Sequence, residues 1–319
     1  MRALHDLPAP AKLNLFLHVV GRRADGYHLL QSVFLLIDWC DRLSFERRDD
    51  GLVRRHDLGA ALPADDLCLR AARALQQAAQ VSQGVDIHID KQVPWGAGMG
   101  GGSSDAATTL IALNRLWKLG WPRQRLIELA TPLGADIPFF LGGHNAWVEG
   151  IGEQLTPLPW QDDWGAAPWD ARWAVIKPSC SIPTQAIFRS PHLARDTKPA
   201  IVADFLAAAR ADNQTATGRA ATSFGRNDLQ PCAVALDPEG SEVTQALELL
   251  DKRYGNSRMT GSGSAVFAFA GHRDPADLAG DALTKRSDAA ALAASIPASW
   301  SARICSGLRH HPLVHWTDG

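Results

Sequence analysis

The chain has 319 residues, 46% hydrophobic and 21% charged, with 32 Lys and Arg against 34 Asp and Glu for a net charge of −2. That length suits two domains with substantial cores, and the missing basic excess excludes a non-specific binder of phosphate backbones. Five scattered cysteines, Cys40, Cys68, Cys180, Cys232 and Cys305, with no CxxC among them, argue against a disulfide framework or thiolate zinc site and fit a reducing compartment.

The first twenty residues lack a signal-peptide layout: prolines break them early, and Lys12, Asn14 and His18 interrupt the apolar residues. No apolar run approaches the ~20 residues of a membrane span. The expectation is a cytoplasmic enzyme with no membrane or nucleic-acid partner. Residues 12–19 alternate, with Leu13, Leu15, Leu17 and Val19 on one face and Lys12, Asn14, Phe16 and His18 on a mostly polar other face, which predicts a strand. Asp25-Gly26 predicts a turn and 29–37 a second strand. Asp65 and Asp66 precede a helix-like LCLRAARALQQAA, and Val85, Ile87 and Ile89 alternate again. Asp105 to Trp117 reads as a helix, as does 123–133, and a strand pair is expected at about 145–158.

Residues 159–171, rich in Pro, Gly, Asp and Trp, mark the expected boundary between domains 1–160 and 161–319. Beyond it come a strand at 173–177, the loop SCSIPT, helices near 200–210 and 241–253, a glycine turn running into an apolar strand over 258–270, and an Ala-rich helix over 274–295. Strands and helices intermingle in both halves, so the fold class is α+β. No internal repeat is present.

Between the third apolar alternation and the helix lies Pro94-Trp95-Gly96-Ala97-Gly98-Met99-Gly100-Gly101-Gly102-Ser103-Ser104, in which five of the seven residues 96–102 are glycine. Glycine lets a ligand approach the main chain, consecutive amides make an anion-binding concavity, and a helix starting near Ser103 adds its unpaired N–H groups and dipole. This predicts a phosphate site. The two serines offer hydroxyls to phosphate or hydrated Mg²⁺, or simply cap the helix. No lysine follows Gly102, which rules out a Walker loop. Residues 96–101 do fit G-x-G-x-x-G, but Pro94-Trp95 separates them from the strand, and 116–125 lacks the acidic residue of a dinucleotide site. An NAD-binding oxidoreductase is the runner-up on these residues.

The loop resembles the second motif of the GHMP kinases. PAPAKLNLFLHV at 8–19, GRRADGYHLLQSVF at 21–34, LGADIPFFL at 133–141, SIPT at 181–184 and MTGSGSAVFAF at 259–269 are similar to that family's other landmarks and occur in the same order. The resemblance implies a two-domain fold. Its first domain is ribosomal-protein-S5-domain-2-like, and its second is a ferredoxin-like α/β sandwich. The implied activity is ATP-dependent, Mg²⁺-assisted phosphorylation of a small alcohol by a monomer or weak homodimer. RADGYH together with PAPAKLNL points to members that act on a cytidine-diphosphate-linked polyol.

The same resemblance implies the site. Asp136 corresponds to the catalytic aspartate, although Asp before an x-Pro start is also a common helix cap. Lys12 corresponds to the lysine that keeps the aspartate ionised and stabilises transition-state charge. Asn14 would orient substrate hydroxyls. Tyr27 and Phe188 would sandwich the cytosine while His28 reads its edge, and Thr184 would line the pocket. Gly261, Ser262 and Gly263 match the third motif, beside loop and substrate. Asp66 stands where an asparagine near the adenine is usual, and Trp95 is bulkier than the usual residue after Pro94. His310, His311 and His315 lack spaced acidic or cysteine partners and read as a solvated tail rather than a metal site. Two further alternatives are a GHMP kinase for another alcohol and a non-catalytic nucleotide- or RNA-binding module.

Overall fold

A computed structural model describes residues 1–59, 61–159, 167–215, 224–236, 241–273 and 278–317. Strand β1, Ala3–Arg22, reverses at the Asp25-Gly26 turn into β2, His28–Arg48, and the two pair antiparallel from Ala3↔Glu46 to Arg22↔His28. The turn forms because the Asp25 carboxylate accepts from the Tyr27 amide at 3.2 Å. Along its other edge β2 pairs antiparallel with β4, Gly84–Asp90, and with β5, Ala146–Glu149. Strand β3, Val53–Asp57, lies parallel to β4, and β6, Gln154–Pro157, closes the far side.

Four helices cover this sheet: α1 (Leu67–Ala78), α2 (Gly101–Leu116), α3 (Arg123–Ala130) and α4 (Ile137–Gly142). Their apolar sides meet Leu36, Phe45 and Ile87 of the strands through Leu75, Leu110 and Phe139. Asp66 caps α1 by accepting from the Leu69 amide at 3.0 Å.

The second half is an antiparallel sheet in the order β10-β7-β9-β8, from β7 (Ala171–Lys177), β8 (Arg258–Met259), β9 (Val266–His272) and β10 (Ser301–Ser306). With it come α5 (Thr184–Arg189), α6 (Val202–Thr215), α7 (Gln230–Leu236), α8 (Glu242–Tyr254) and α9 (Leu278–Ala293). One cluster contains Leu13, Leu15 and Val33 of the first sheet and Trp169, Trp173 and Phe267 from around the second, so the two halves share an apolar seam. Within the Trp-rich stretch, 160–166 lies outside the described residues, whereas Pro168–Asp170 forms a 3₁₀ turn that buries Trp169. Of the segment 271–290, residues 274–277 also lie outside them. No helix among the described residues is long and apolar enough to cross a membrane.

The mostly polar second face of β1 is buried: Lys12, Asn14, Phe16 and His18 are all covered. The second half covers it, with the Asn14 amide donating to Thr260 Oγ1 at 2.9 Å and the Leu17 amide to the Arg226 carbonyl at 2.9 Å. The histidine-bearing tail is docked rather than solvated. Leu308 N–H donates to the Leu36 carbonyl and His311 N–H to that of Gly143, both at 2.8 Å, while Leu313 and Val314 are buried. His311 is fully buried, and that burial, aided by Arg123 and His310, pushes its pKa down to about 3.

Candidate active site

The glycine loop leaves β4 after Asp90 and is tied on both sides. Lys12 N–H donates to the Met99 carbonyl at 2.9 Å, and Ala265 N–H to that of Ala97 at 3.3 Å. Gly98 has φ +71°, and a Cβ there would lie 2.3 Å from the Thr260 carbonyl. A Cβ on Gly261 would in turn lie 2.6 Å from the Gly98 carbonyl. At these two positions glycine is required by the contact between two loops. That is a separate need from approach of a ligand.

Helix α2 begins earlier than expected, at Gly101, with Gly100 at the N-cap and no side-chain cap bond. The serines therefore lie inside its first turn and do not cap it. The reason is that three consecutive glycines can coil into the helix start without a capping side chain. Ser103 faces a cavity of about 310 Å³ together with Pro94, Trp95, Gly96, Ala97, Gly98, Met99, Gly100, Gly101 and Gly102. Ser104 is fully buried, and its hydroxyl has no partner among the described residues.

A second cavity of about 260 Å³ contains Lys12, Asn14, Asp136, Phe188, Gly261 and Ser262 among its lining residues. Gly98, Gly100, Thr184 and Ser262 border both cavities, so the two meet there. Thr184 Oγ1 and Ser262 Oγ lie 2.7 Å apart, joining the two loops at this junction. Gly263 lines the loop cavity.

Lys12 Nζ lies 3.6 Å from Asp136 Oδ2. It donates to Asn14 Oδ1 at 2.6 Å and stands 4.3 Å from the centre of the Phe34 ring. Asn14 in turn donates its amide to Ser32 Oγ at 2.9 Å, so its orientation is fixed. Burial pushes the Lys12 pKa below the ordinary lysine value, and Asp136 pulls it partly back. Asp136 occupies the N-cap position of α4, yet its carboxylate caps nothing. It is held instead opposite the ammonium. Lys12 and Asp136, 124 positions apart in the chain, thus place an ammonium opposite a carboxylate, with the Asn14 amide oriented beside them.

Other expected residues fall elsewhere. Asp66 is engaged with Arg55 Nη1 at 2.9 Å as well as with the α1 cap, and borders a third cavity of about 170 Å³ beside Trp95 and Gly102. Trp95 is 62% exposed and lines this cavity and the loop cavity. Tyr27 is 60% exposed and borders none of these cavities. His28, not Tyr27, stacks on Phe188, with ring centres 4.9 Å apart and planes at 26°.

Sequence reasoning missed Lys91, Asp41, Asp105 and Asn227. Lys91 lines the loop cavity and bridges Asp41 Oδ2 at 2.5 Å and Asp105 Oδ2 at 2.8 Å. Burial opposes its charge, but the two carboxylates outweigh it and raise its pKa, whereas burial pushes the Asp105 carboxyl well above the usual range. Asn227 donates to the carbonyls of Met259 and Gly261 at 2.7 and 2.9 Å, supporting the third motif. Their partners lie far away in the chain, so no local pattern announces them. Among the described residues no group of three or more His, Cys, Asp or Glu could hold a metal ion.

Residues 66–144 match the model of the GHMP kinases N terminal domain and 205–289 that of the GHMP kinases C terminal. The chain is 58% identical over 318 residues to a 4-diphosphocytidyl-2-C-methyl-D-erythritol kinase of Methylibium petroleiphilum, covering 99% of each chain. It is 52% identical to the protein of that name in Paracidovorax citrulli, over 99% of this chain and 98% of that one. A crystal structure of 4-(cytidine 5'-diphospho)-2C-methyl-D-erythritol kinase superposes with a TM-score of 0.71 at 34% identity, over 95% of this chain and 100% of the other. A homoserine kinase of Cytophaga hutchinsonii shares the fold, with a TM-score of 0.64 at 17% identity over 98% and 96% of the two chains.

Proposed function

The chain belongs to the GHMP kinases, and from that premise we propose that it phosphorylates the 2-hydroxyl of 4-diphosphocytidyl-2-C-methyl-D-erythritol with ATP. The products are the 2-phosphate and ADP, in the methylerythritol phosphate route to isoprenoid precursors. The observation that carries the reading is the junction of two cavities at Gly98, Gly100, Thr184 and Ser262, with the Lys12–Asp136 pair on the acceptor side. Family membership leaves no room for the dinucleotide oxidoreductase.

In this reading the loop from Pro94 to Ser103 grips the phosphates of ATP through main-chain N–H groups, and the α2 N-terminus adds its dipole. Lys91 faces the same cavity and adds positive charge. Asp136 accepts the proton of the acceptor hydroxyl as its oxygen bonds to the γ-phosphorus and the bond to the β–γ bridging oxygen breaks. Lys12, 3.6 Å from Asp136, offsets charge on the transferring group; Asn14 holds Lys12 in place. Ser262 and Thr184, at the junction, position the acceptor. Mg²⁺ brought with the nucleotide would be held mostly by phosphate and water, as it commonly is, with Ser103 as the protein oxygen at the cavity wall. It would supply neutralisation of phosphate charge. The cytidine end is assigned to the Phe188 side, with His28 and Tyr27. The division at 160/161 and a monomer or weak homodimer complete the proposal.

The test is a coupled assay of ADP release with ATP, Mg²⁺ and the cytidylylated methylerythritol, with phosphorus NMR of the product. Substrate-dependent ADP and a new phosphomonoester on the 2-oxygen are expected. Absence of substrate-dependent ADP removes the proposal, and turnover of another alcohol in its place would favour a different kinase of the same family.

A further inference from the structure

Arg195 is not among the residues to which the reaction gives a role, yet four of its five N–H donors are committed within one small region. Nη2 donates to the carbonyls of Phe188 and Ser190 at 3.1 and 2.9 Å, and Nη1 to that of Leu193 at 3.0 Å. Nε donates to His28 Nε2 at 3.1 Å. A guanidinium is a donor only and stays charged. The imidazole nitrogen facing it must therefore carry the lone pair. An imidazolium, or a neutral ring with its proton on Nε2, would set N–H against N–H.

The neutral ring has one proton, so it sits on Nδ1. Burial first, and then the charges of Arg195 and Arg22, hold the His28 pKa below the ordinary histidine value, which keeps the ring neutral at pH 7. Nδ1 has no partner among the described residues. The ring lies stacked on Phe188, which is itself one of the residues lining the acceptor cavity. The result is an unspent, directional donor of fixed identity beside an aromatic face.

We propose that Arg195 is a specificity-determining residue acting through His28, holding that ring as an Nδ1–H donor that accepts cytosine and rejects uracil. This rests on the substrate reading above. Cytosine N3 has a lone pair and receives such a donor. Uracil N3 carries a hydrogen and opposes it, and a site built around a hydrogen bond discriminates strongly against a base that leaves it unmade. Without Arg195 the imidazole is free to take either tautomer and presents a donor or an acceptor to either base.

The experiment compares kcat/KM for the cytidine and uridine forms of the diphospho-linked substrate in the wild type and in Arg195→Met and Arg195→Lys. Nitrogen-15 NMR of His28 in the full-length wild type and variants accompanies it. The wild type is expected to show the Nδ1–H tautomer and to favour cytidine. Arg195→Met should cut that preference by tenfold or more and move the proton toward Nε2, and Arg195→Lys should keep part of both. A purely structural arginine would lower both substrates in proportion and leave their ratio unchanged, which would overturn the proposal. So would an Nε2–H ring in the wild type, a result that needs no variant to fold. If the wild type turns over neither substrate, the substrate reading fails, and the tautomer measurement still decides the state of the ring. If it turns over the cytidine form and the ratio survives Arg195→Met, only the present inference fails.

Discussion

Lys12 carries its charge where burial opposes it, and its three neighbours explain how it stays there. Asp136 attracts it, Asn14 accepts from it and the Phe34 ring faces it. Because its pKa is lowered from the ordinary 10.5, the ammonium is lost at a lower pH than an ordinary lysine would require. Under the proposed mechanism kcat should therefore fall on the alkaline side, starting below that value. Lys12→Met should cost on the order of 10²-fold or more in kcat at pH 7. A Lys12→Met enzyme at full rate would refute the role. Gly98 sets a different constraint. Alanine there meets the Thr260 carbonyl at 2.3 Å in a left-handed backbone. Gly98→Ala is expected to destabilise the fold by about 1–3 kcal/mol and to weaken ATP binding, read by denaturant unfolding and nucleotide titration. Unchanged values would show that the loops part freely. At this scale the motifs were legible, since Lys12, Asn14 and Asp136 stand in recognisable stretches. The pairing of Gly98 with Gly261 was not, because each looks locally like a glycine turn.

The alternation of β1 is legible in the sequence, but periodicity cannot report what covers its mostly polar second face. The second half covers it, and contacts separated by more than two hundred residues leave no trace in a local window. The start of α2 was misplaced for a related reason: Ser and Asp favour caps, and three glycines ahead of them took the role. The docked tail shows the same limit, since three histidines in a polar stretch gave no sign of the buried corner at Gly143. His311 supplies a test of that docking. Its folded pKa lies below the ordinary 6.5, at about 3, so the unfolded chain binds the proton first. The stabilisation is full above about pH 6.5 and is lost progressively as pH falls toward 3. His311→Gln should flatten this part of the Tm–pH profile, and a parallel profile would contradict the account. The link from β4 into the loop also rests on Lys91, which separates two buried carboxylates. Lys91→Met should destabilise the protein by about 1–3 kcal/mol, seen in the denaturant midpoint, because it leaves two buried carboxyl groups without their shared donor. An unmoved midpoint would mean that they are relieved by other means.

Over the whole molecule, two sheets share one apolar seam, and the functional parts gather where loops from both sides of it meet. β1 brings Lys12 and Asn14, the corner before α4 brings Asp136, the loop into α2 brings the glycines, the first residue of α5 is Thr184, and the loop before β9 brings Ser262. The two cavities join along that line. Composition and motif order predicted the α+β class and the glycine loop. The junction itself depends on how the halves dock, which a linear reading has no means to measure. The most direct test of the account is single-turnover phosphoryl transfer to the cytidylylated methylerythritol by Asp136→Asn, with ATP affinity measured on the same preparation. The account predicts a rate lower by about 10²–10⁴-fold with ATP affinity unchanged, because the base is lost and the loop is intact. Transfer at the wild-type rate would contradict it.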